Sequence, residues 1–395
     1  MLLWVGAVTV TSEQVSAQTA LAADYGIRFS CSAKQLQELV PSMQAYLERQ
    51  GIAPRFVQVT LRPEDGSVTY SLVNTSFSTG TLYLAWRGEL GIEDEILRMP
   101  IGNGKTRSLR TVSKKEILFA MLHPGRLTEF NGAACNVQAL ADQVGLRQNV
   151  VAWSEDITWD WPDGTPANWN PRYWKKGTPV PGVALHDALN DMFFHQHKYG
   201  IGCYTATKVV YAQATLDYYR RVKKDPATAR MVEERLMADG DPLVQIEPGS
   251  MWSFEEDFDP SDMNRQGKMV RVHEAVAPGN FIPGDWLYFR NTDPKTWDKT
   301  GYEGSNSVYL GRNRFDDYYN DNNHHYNYDE KIVEVFQWRH GVFSRSRDWA
   351  KRVPVSPEQI DLLSKSPEDG GLLMAYRVVP YKFGFEVLPP LNTVP

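Results

Sequence analysis

Tyr199-Gly200-Ile201-Gly202-Cys203-Tyr204-Thr205-Ala206-Thr207-Lys208-Val209-Val210 sets one cysteine between a glycine-rich turn and an apolar helical pattern. Ala206, Val209, Val210, Ala214 and Leu216 carry the pattern on, so the spacing predicts a helix over 203–223 with one buried face. A thiol at the start of a helix meets unpaired backbone N–H groups and the positive end of the helix dipole. Both favour the thiolate, which is the nucleophilic form of cysteine. The ordinary alternative is a small buried residue at a tight junction, because free cysteines are commonly buried and inert.

Upstream of this turn, Ala184 to His197 reads as a second helix. His195 and His197 near its end are two residues apart and so on different faces, which suits capping of the last carbonyls rather than zinc binding. Trp153, Trp159, Trp161, Trp169 and Trp174 fall among prolines, glycines and asparagines. That stretch reads as irregular, pinned by its aromatics and wrapped over something else; walls of a substrate tunnel are the lesser reading. Downstream, Asp225 to His273 is charged and weakly patterned, as a long insertion would be. Pro283-Gly284-Asp285-Trp286-Leu287-Tyr288-Phe289 reads as a turn entering a strand, Ser307 to Gly311 as a second strand, and Ile332 to Trp338 as a third. A cysteine-bearing helix followed by antiparallel strands is an α+β layout.

The N-terminal part has its own pattern. Leu36, Leu39, Val40, Met43 and Leu47 predict a helix over 33–50. Phe56 to Leu61 and Val68 to Val73 alternate about Pro63-Glu64-Asp65-Gly66 as a hairpin, with Thr81 to Trp86 as a third strand. Lys114 to Leu122 and Val137 to Val144 read as short helices. The apolar run Leu2 to Val10 reads as a secretory signal cleaved around Ala20 to Ala23, or else as a buried strand. The expected organisation is a signal segment 1–23, an accessory α+β domain 24–148, a catalytic domain 149–352 with insertions near 225–275 and 316–330, and an extension 353–395. The expected location is secreted or extracytoplasmic, with cytoplasmic as the alternative.

Composition narrows the function. Lys plus Arg is 42 against 48 acids, for a net charge of −6, which argues against a nucleic-acid partner. No run approaches the ~20 apolar residues of a membrane-spanning helix. The three cysteines, Cys31, Cys135 and Cys203, form no CxxC pair, so neither a disulfide framework nor a structural zinc site is expected. Cys31 and Cys135 are candidates for one disulfide that leaves Cys203 free. Cys135 also follows a small-residue turn and precedes a helix, and is the lesser candidate for a second functional thiol. The Asp-Asn-Asn-His-His segment around His324 and His325 matches no calcium loop, so no metal and no cofactor are expected.

Gly202-Cys203-Tyr204-Thr205-Ala206, Gly284-Asp285-Trp286-Leu287-Tyr288-Phe289-Arg290-Asn291 and Asn306-Ser307-Val308-Tyr309-Leu310-Gly311 together resemble the bacterial spore-coat-type protein-glutamine gamma-glutamyltransferases. The same order is similar to the wider papain-like, NlpC-type cysteine peptidases and amidases. The resemblance covers roughly 150–350. It implies a papain-like core, Cys203 as nucleophile toward a protein glutamine, and passage of the acyl group to a lysine amine. The partners it implies are proteins offering Gln and Lys side chains. Where the family carries a glutamate before the cysteine, this chain has Gly202. A second family glutamate, and the peptidase histidine, fall on Ser305. The proton acceptor must then be another group. His340, in a His-Gly pair after the expected third strand, is preferred because histidine titrates near neutrality. Glu303, at the same strand entrance as Ser305, comes next, and His324 or His325 remain open. Hydrolysis by an amidase, peptidase or glutamine deamidase is the rival activity, and a structural module with a degenerate site is the non-enzymatic rival.

Overall fold

The computed structural model describes residues 26–73, 87–123, 126–162, 165–175, 177–238, 270–273, 280–299, 301–319, 325–342 and 349–380. The expected signal segment, the strand over Thr81 to Trp86 and His324 lie outside the described residues. In chain order the elements begin β1 (Gly26–Ser30), α1 (Ala33–Arg49), β2 (Val57–Arg62), β3 (Ser67–Leu72), β4 (Glu95–Pro100), β5 (Thr106–Thr111), α2 (Lys114–Met121) and β6 (Leu127–Asn131). They continue α3 (Val137–Ser154), β7 (Trp174–Lys175), β8 (Thr178–Pro179), α4 (Leu185–Phe194), α5 (Cys203–Asp217) and α6 (Pro226–Ala238). The last are β9 (Val270–His273), β10 (Trp286–Asn291), β11 (Gly304–Gly311), β12 (Arg314–Asp316), β13 (His325–Tyr326), α7 (Tyr328–Trp338), α8 (Pro357–Leu363) and β14 (Leu373–Pro380). The architecture is α+β.

The chain divides into two compact units, one within Met1–Ser78 and Met121–Val137, the other within Thr79–Ala120 and Gln138–Pro395. The division therefore does not follow the line between 148 and 149 drawn from composition. In the first unit a four-stranded sheet runs β2-β3-β1-β6. The β2–β3 hairpin turns through Pro63–Asp65 and Gly66, whose φ of 64° falls where glycine is at ease. Helix α1 starts at Ser32 in a capping box with Gln35 and buries Leu36, Leu39, Met43, Tyr46 and Leu47. Cys31 and Cys135 form a disulfide across 104 residues, with Cα atoms 5.9 Å apart, which removes Cys135 as a functional thiol. Closing a loop of that size restricts the unfolded chain by about 5 kcal/mol in the chain-entropy description. A Cys31→Ser/Cys135→Ser double variant is expected to lose about that much stability in urea unfolding; an unchanged midpoint would contradict it.

The second unit is built on a six-stranded antiparallel sheet ordered β13-β12-β11-β10-β14-β9. Its two faces are assigned by alternation along β10. Leu287 and Phe289 enter a buried cluster with Tyr309, Phe315 and the α7 residues Tyr328, Ile332, Val335, Phe336 and Trp338. Trp286 points the other way, its ring 5.7 Å from Tyr204 and 5.8 Å from Tyr211 on α5. Helix α5 packs along β11. The sheet thus separates α5 from α7.

Two expectations are corrected here. Ile332 to Trp338 is not a strand but part of α7. Asn327 and Glu330 form a capping box, and Tyr328, Ile332, Val335 and Phe336 repeat at helical spacing on one buried face. The weakly patterned start of 225–273 contains α6, capped by Asp225, which accepts from the Thr228 N–H at 3.0 Å. Two helices also differ in extent. The one predicted over 137–144 runs on to Ser154, and the one predicted over 203–223 is α-helical to Asp217, then closes in a π-helical turn, Tyr218–Val222.

The Pro-Gly-Asp turn into β10 is structural. Gly284 has φ +82°, and a Cβ there would lie 2.9 Å from the Arg147 carbonyl oxygen. Asp285 is 1% exposed and pairs with Arg147 at 2.7 Å, while its other oxygen accepts from the Ile282 N–H at 2.7 Å. Arg147→Ala leaves that carboxylate buried with Arg377, 3.9 Å away, as its remaining cation among the described residues. The expected loss is about 3 kcal/mol in urea unfolding; a loss under about 1 kcal/mol would show that the pair is not needed.

Candidate active site

The turn before Cys203 is held by the tryptophan-rich segment. Asp160 and Asn168 both bridge to Gly200: Asn168 N–H donates to the Gly200 carbonyl at 2.7 Å, Gly200 N–H donates back at 3.0 Å, and Ile201 N–H donates to Asp160 at 3.2 Å. Trp159 anchors the segment from inside, fully buried, its indole N–H on the Met192 carbonyl at 3.0 Å. Tyr199, also fully buried, donates to Asp191 at 2.5 Å. An irregular stretch is thereby made rigid, and it delivers Gly202 as the N-cap of α5. Gly202 brings no capping side chain, so no side chain competes with the sulfur for the first-turn N–H groups.

Cys203 is the free cysteine and is partly exposed. Two donors reach its Sγ, both from Asn306 on β11: the backbone N–H at 3.4 Å and the side-chain Nδ2 at 3.7 Å. Trp286 Nε1 donates to Asn306 Oδ1 at 2.9 Å. On the helix side, Thr207 Oγ1 donates to the Cys203 carbonyl at 2.8 Å and meets the Tyr318 hydroxyl at 2.8 Å. The Lys208 ammonium lies buried over the Tyr204 ring, 3.4 Å from its centre.

Tyr288 stands beside the sulfur on the same face of the sheet. Burial pushes its phenol well above the ordinary tyrosine range, and the charges of Cys203 and Glu303 push the same way. Its hydroxyl donates to the Glu303 backbone carbonyl at 3.2 Å. The Glu303 carboxylate accepts from the Gly301 N–H at 2.8 Å, and burial raises it above the usual carboxylate range. Tyr288 thus feels both Cys203 and Glu303.

The histidines lie elsewhere. His340 follows α7, exposed, with its ring 5.3 Å from Phe336. Because α7 packs on the Leu287 and Phe289 face, the sheet stands between His340 and the sulfur. The strand-end premise for His340 fails with the strand itself. His325 lies on β13, two strands from β11, and its Nε2 sits 3.6 Å from Glu155. Ser305 pairs with Phe289 across the ladder and so belongs to the α7 face, where its hydroxyl is buried. A cavity of about 410 Å³ lies at the far end of α5, lined by Gln213, Leu216, Asp217 and Arg220. The rise along the helix puts Leu216 ~20 Å from Cys203, so this cavity does not lie at the sulfur.

Sequence reading missed the roles of Asn306, Trp286 and Tyr288, although all three lie in the quoted motifs. Strand alternation was the available signal: it places Trp286 and Tyr288 together, and Asn306 opposite Tyr288 in the ladder. Among the described residues no cluster of three or more His, Cys, Asp or Glu side chains is arranged to hold a metal ion, and no helix is long and apolar enough to cross a membrane.

A partly exposed thiol at a helix start, met by amide donors from a packed antiparallel sheet, is the kind of arrangement used in cysteine-dependent acyl transfer. Residues 105–340, more than half of the chain, match the family model described as protein-glutamine gamma-glutamyltransferase, and the chain belongs to that family. Curated proteins named protein-glutamine gamma-glutamyltransferase from Bacillus cereus (strain AH820) and Bacillus anthracis are each 24% identical over 149 residues, covering 36% of this chain and 42% of theirs. The chain thus spans about two-fifths of the length of the curated relatives it matches. A solved transglutaminase from Geobacillus stearothermophilus, without its C-terminal extension, is similar over 63% of this chain and 96% of its own, with 18% identity and a TM-score of 0.37.

Proposed function

We propose that this chain is a protein-glutamine gamma-glutamyltransferase with Cys203 as its nucleophile. The observation that carries the reading is the sulfur at the start of α5, partly exposed and met by both Asn306 donors. The thiolate attacks the side-chain carboxamide carbon of a protein glutamine. The C–N bond breaks, ammonia leaves with a proton from Glu303, and a gamma-glutamyl thioester remains. A lysine amine then attacks, the C–S bond breaks, and the isopeptide forms as the amine proton returns to the site. Glu303 is the carboxyl group we assign to carry these protons; its closeness to Tyr288 and the burial that raises its affinity for a proton support that role. The cysteine helix packed on an antiparallel sheet supports a papain-like, NlpC-type core. The Cys31–Cys135 disulfide supports an oxidising, extracytoplasmic location.

The test is to supply an unfolded glutamine-rich protein with a labelled primary amine and to follow label and ammonia together. Transfer predicts label incorporated in step with ammonia released. Ammonia without label would assign hydrolysis to the same thioester, and neither product would overturn the enzymatic reading.

A further inference from the structure

The amide of Asn306 has one possible orientation. A tryptophan indole nitrogen can only donate, so the Asn306 atom facing it at 2.9 Å must be the oxygen. The NH₂ group is then the one that faces Sγ. Trp286 cannot swing away, since it is 1% exposed and its ring sits between Tyr204 and Tyr211, both on the helix that carries the cysteine. Tyr211 is itself anchored, its hydroxyl donating to the Gly284 carbonyl at the turn into β10. Asn306 is 6% exposed and sits on the interior strand β11, so its backbone N–H is fixed in direction by the ladder. Two donors from one residue thus converge on one sulfur, and a second residue sets the direction of the side-chain donor.

We propose that Asn306 is a catalytic residue that holds the Cys203 sulfur in its anionic form, and that Trp286 is the positioning residue that keeps the Asn306 amide turned toward it. This deepens the acyl-transfer reading and rests on Cys203 being its nucleophile. A hydrogen bond gains strength when its acceptor is ionised, so these donors favour the thiolate over the thiol. Neither residue is needed for the sulfur to exist or for the helix to form. Both act through the donors aimed at the sulfur.

The test uses the full chain and no substrate. Cys203 is the one cysteine outside the disulfide, so the rate of iodoacetamide alkylation reports on it. The rate is followed against pH for the parent, Asn306→Ala, Asn306→Asp and Trp286→Phe. Asn306→Ala keeps the backbone donor and loses the amide, and alkylation at pH 7 is expected to slow about tenfold with the profile displaced to higher pH. Asn306→Asp puts a carboxylate against the sulfur and should displace it further. Trp286→Phe keeps a ring between the two tyrosines and loses only the N–H, so a smaller displacement in the same direction is expected. This variant is the mildest, and it preserves the test if the Asn306 variants fail to fold. Profiles for all folded variants that superimpose on the parent would overturn the proposal. Displaced profiles in a chain that never incorporates amine would leave the proposal standing and remove the acyl-transfer reading; amine incorporation with superimposed profiles would do the reverse.

Discussion

Replacing Cys203 with alanine is expected to lower amine incorporation by a factor on the order of 10⁴ or more, with ammonia release falling in parallel. The reason is chemical: without the sulfur there is no thioester, and a single difficult displacement on an amide must replace two easier steps. The fold should not suffer. The side chain is partly exposed, and alanine fits a helix start. An unchanged melting temperature with lost activity is therefore the expected pair of results. Retained activity in the alanine variant would refute the nucleophile, and with it the reaction proposed here.

Glu303→Gln is expected to lower kcat by about 10²–10⁴-fold while leaving iodoacetamide alkylation of Cys203 in place, because the amide keeps the shape but cannot carry a proton. The pH dependence adds an independent sign. In the transfer step Glu303, having given its proton to ammonia, must be ionised to accept the amine proton, so kcat/KM for the amine rises with pH through its titration. Burial raises that titration above the usual carboxylate range, so the acidic limb of the parent's kcat/KM profile for the amine should lie above the ordinary glutamate position. In the glutamine variant that limb should disappear. A full limb in the variant would assign it to another group, and an unchanged kcat would remove Glu303 from the proton path. The same measurement on His340→Ala should show parent-like rates, since the sheet separates that residue from the sulfur.

The match between motif and structure is uneven for identifiable reasons. Strong local signals carried through: the α1 periodicity starts just after its capping box residue Ser32, and the alternating runs about Pro63-Glu64-Asp65-Gly66 became a hairpin. Weak local signals did not. Ile332 to Trp338 is short and apolar, and such runs read equally as strand or buried helix; the capping pair five residues before Ile332 and two before it was the deciding mark. Because His340 had been placed by that strand, its proposed role moved with the helix.

Cysteine at a helix start behind a glycine turn is a local matter, written in a dozen consecutive residues, and the sequence by itself determined it. The same holds for the order of helix and strands and for the family to which the chain belongs. Which groups face the sulfur is not local. Asn306 lies 103 residues beyond Cys203 along the chain and Trp286 lies 20 residues before Asn306, and only sheet register and helix packing bring them together. Strand alternation sends neighbouring residues to opposite faces, so the tertiary structure alone decided that Asn306 meets the thiol while His340 stands behind the sheet.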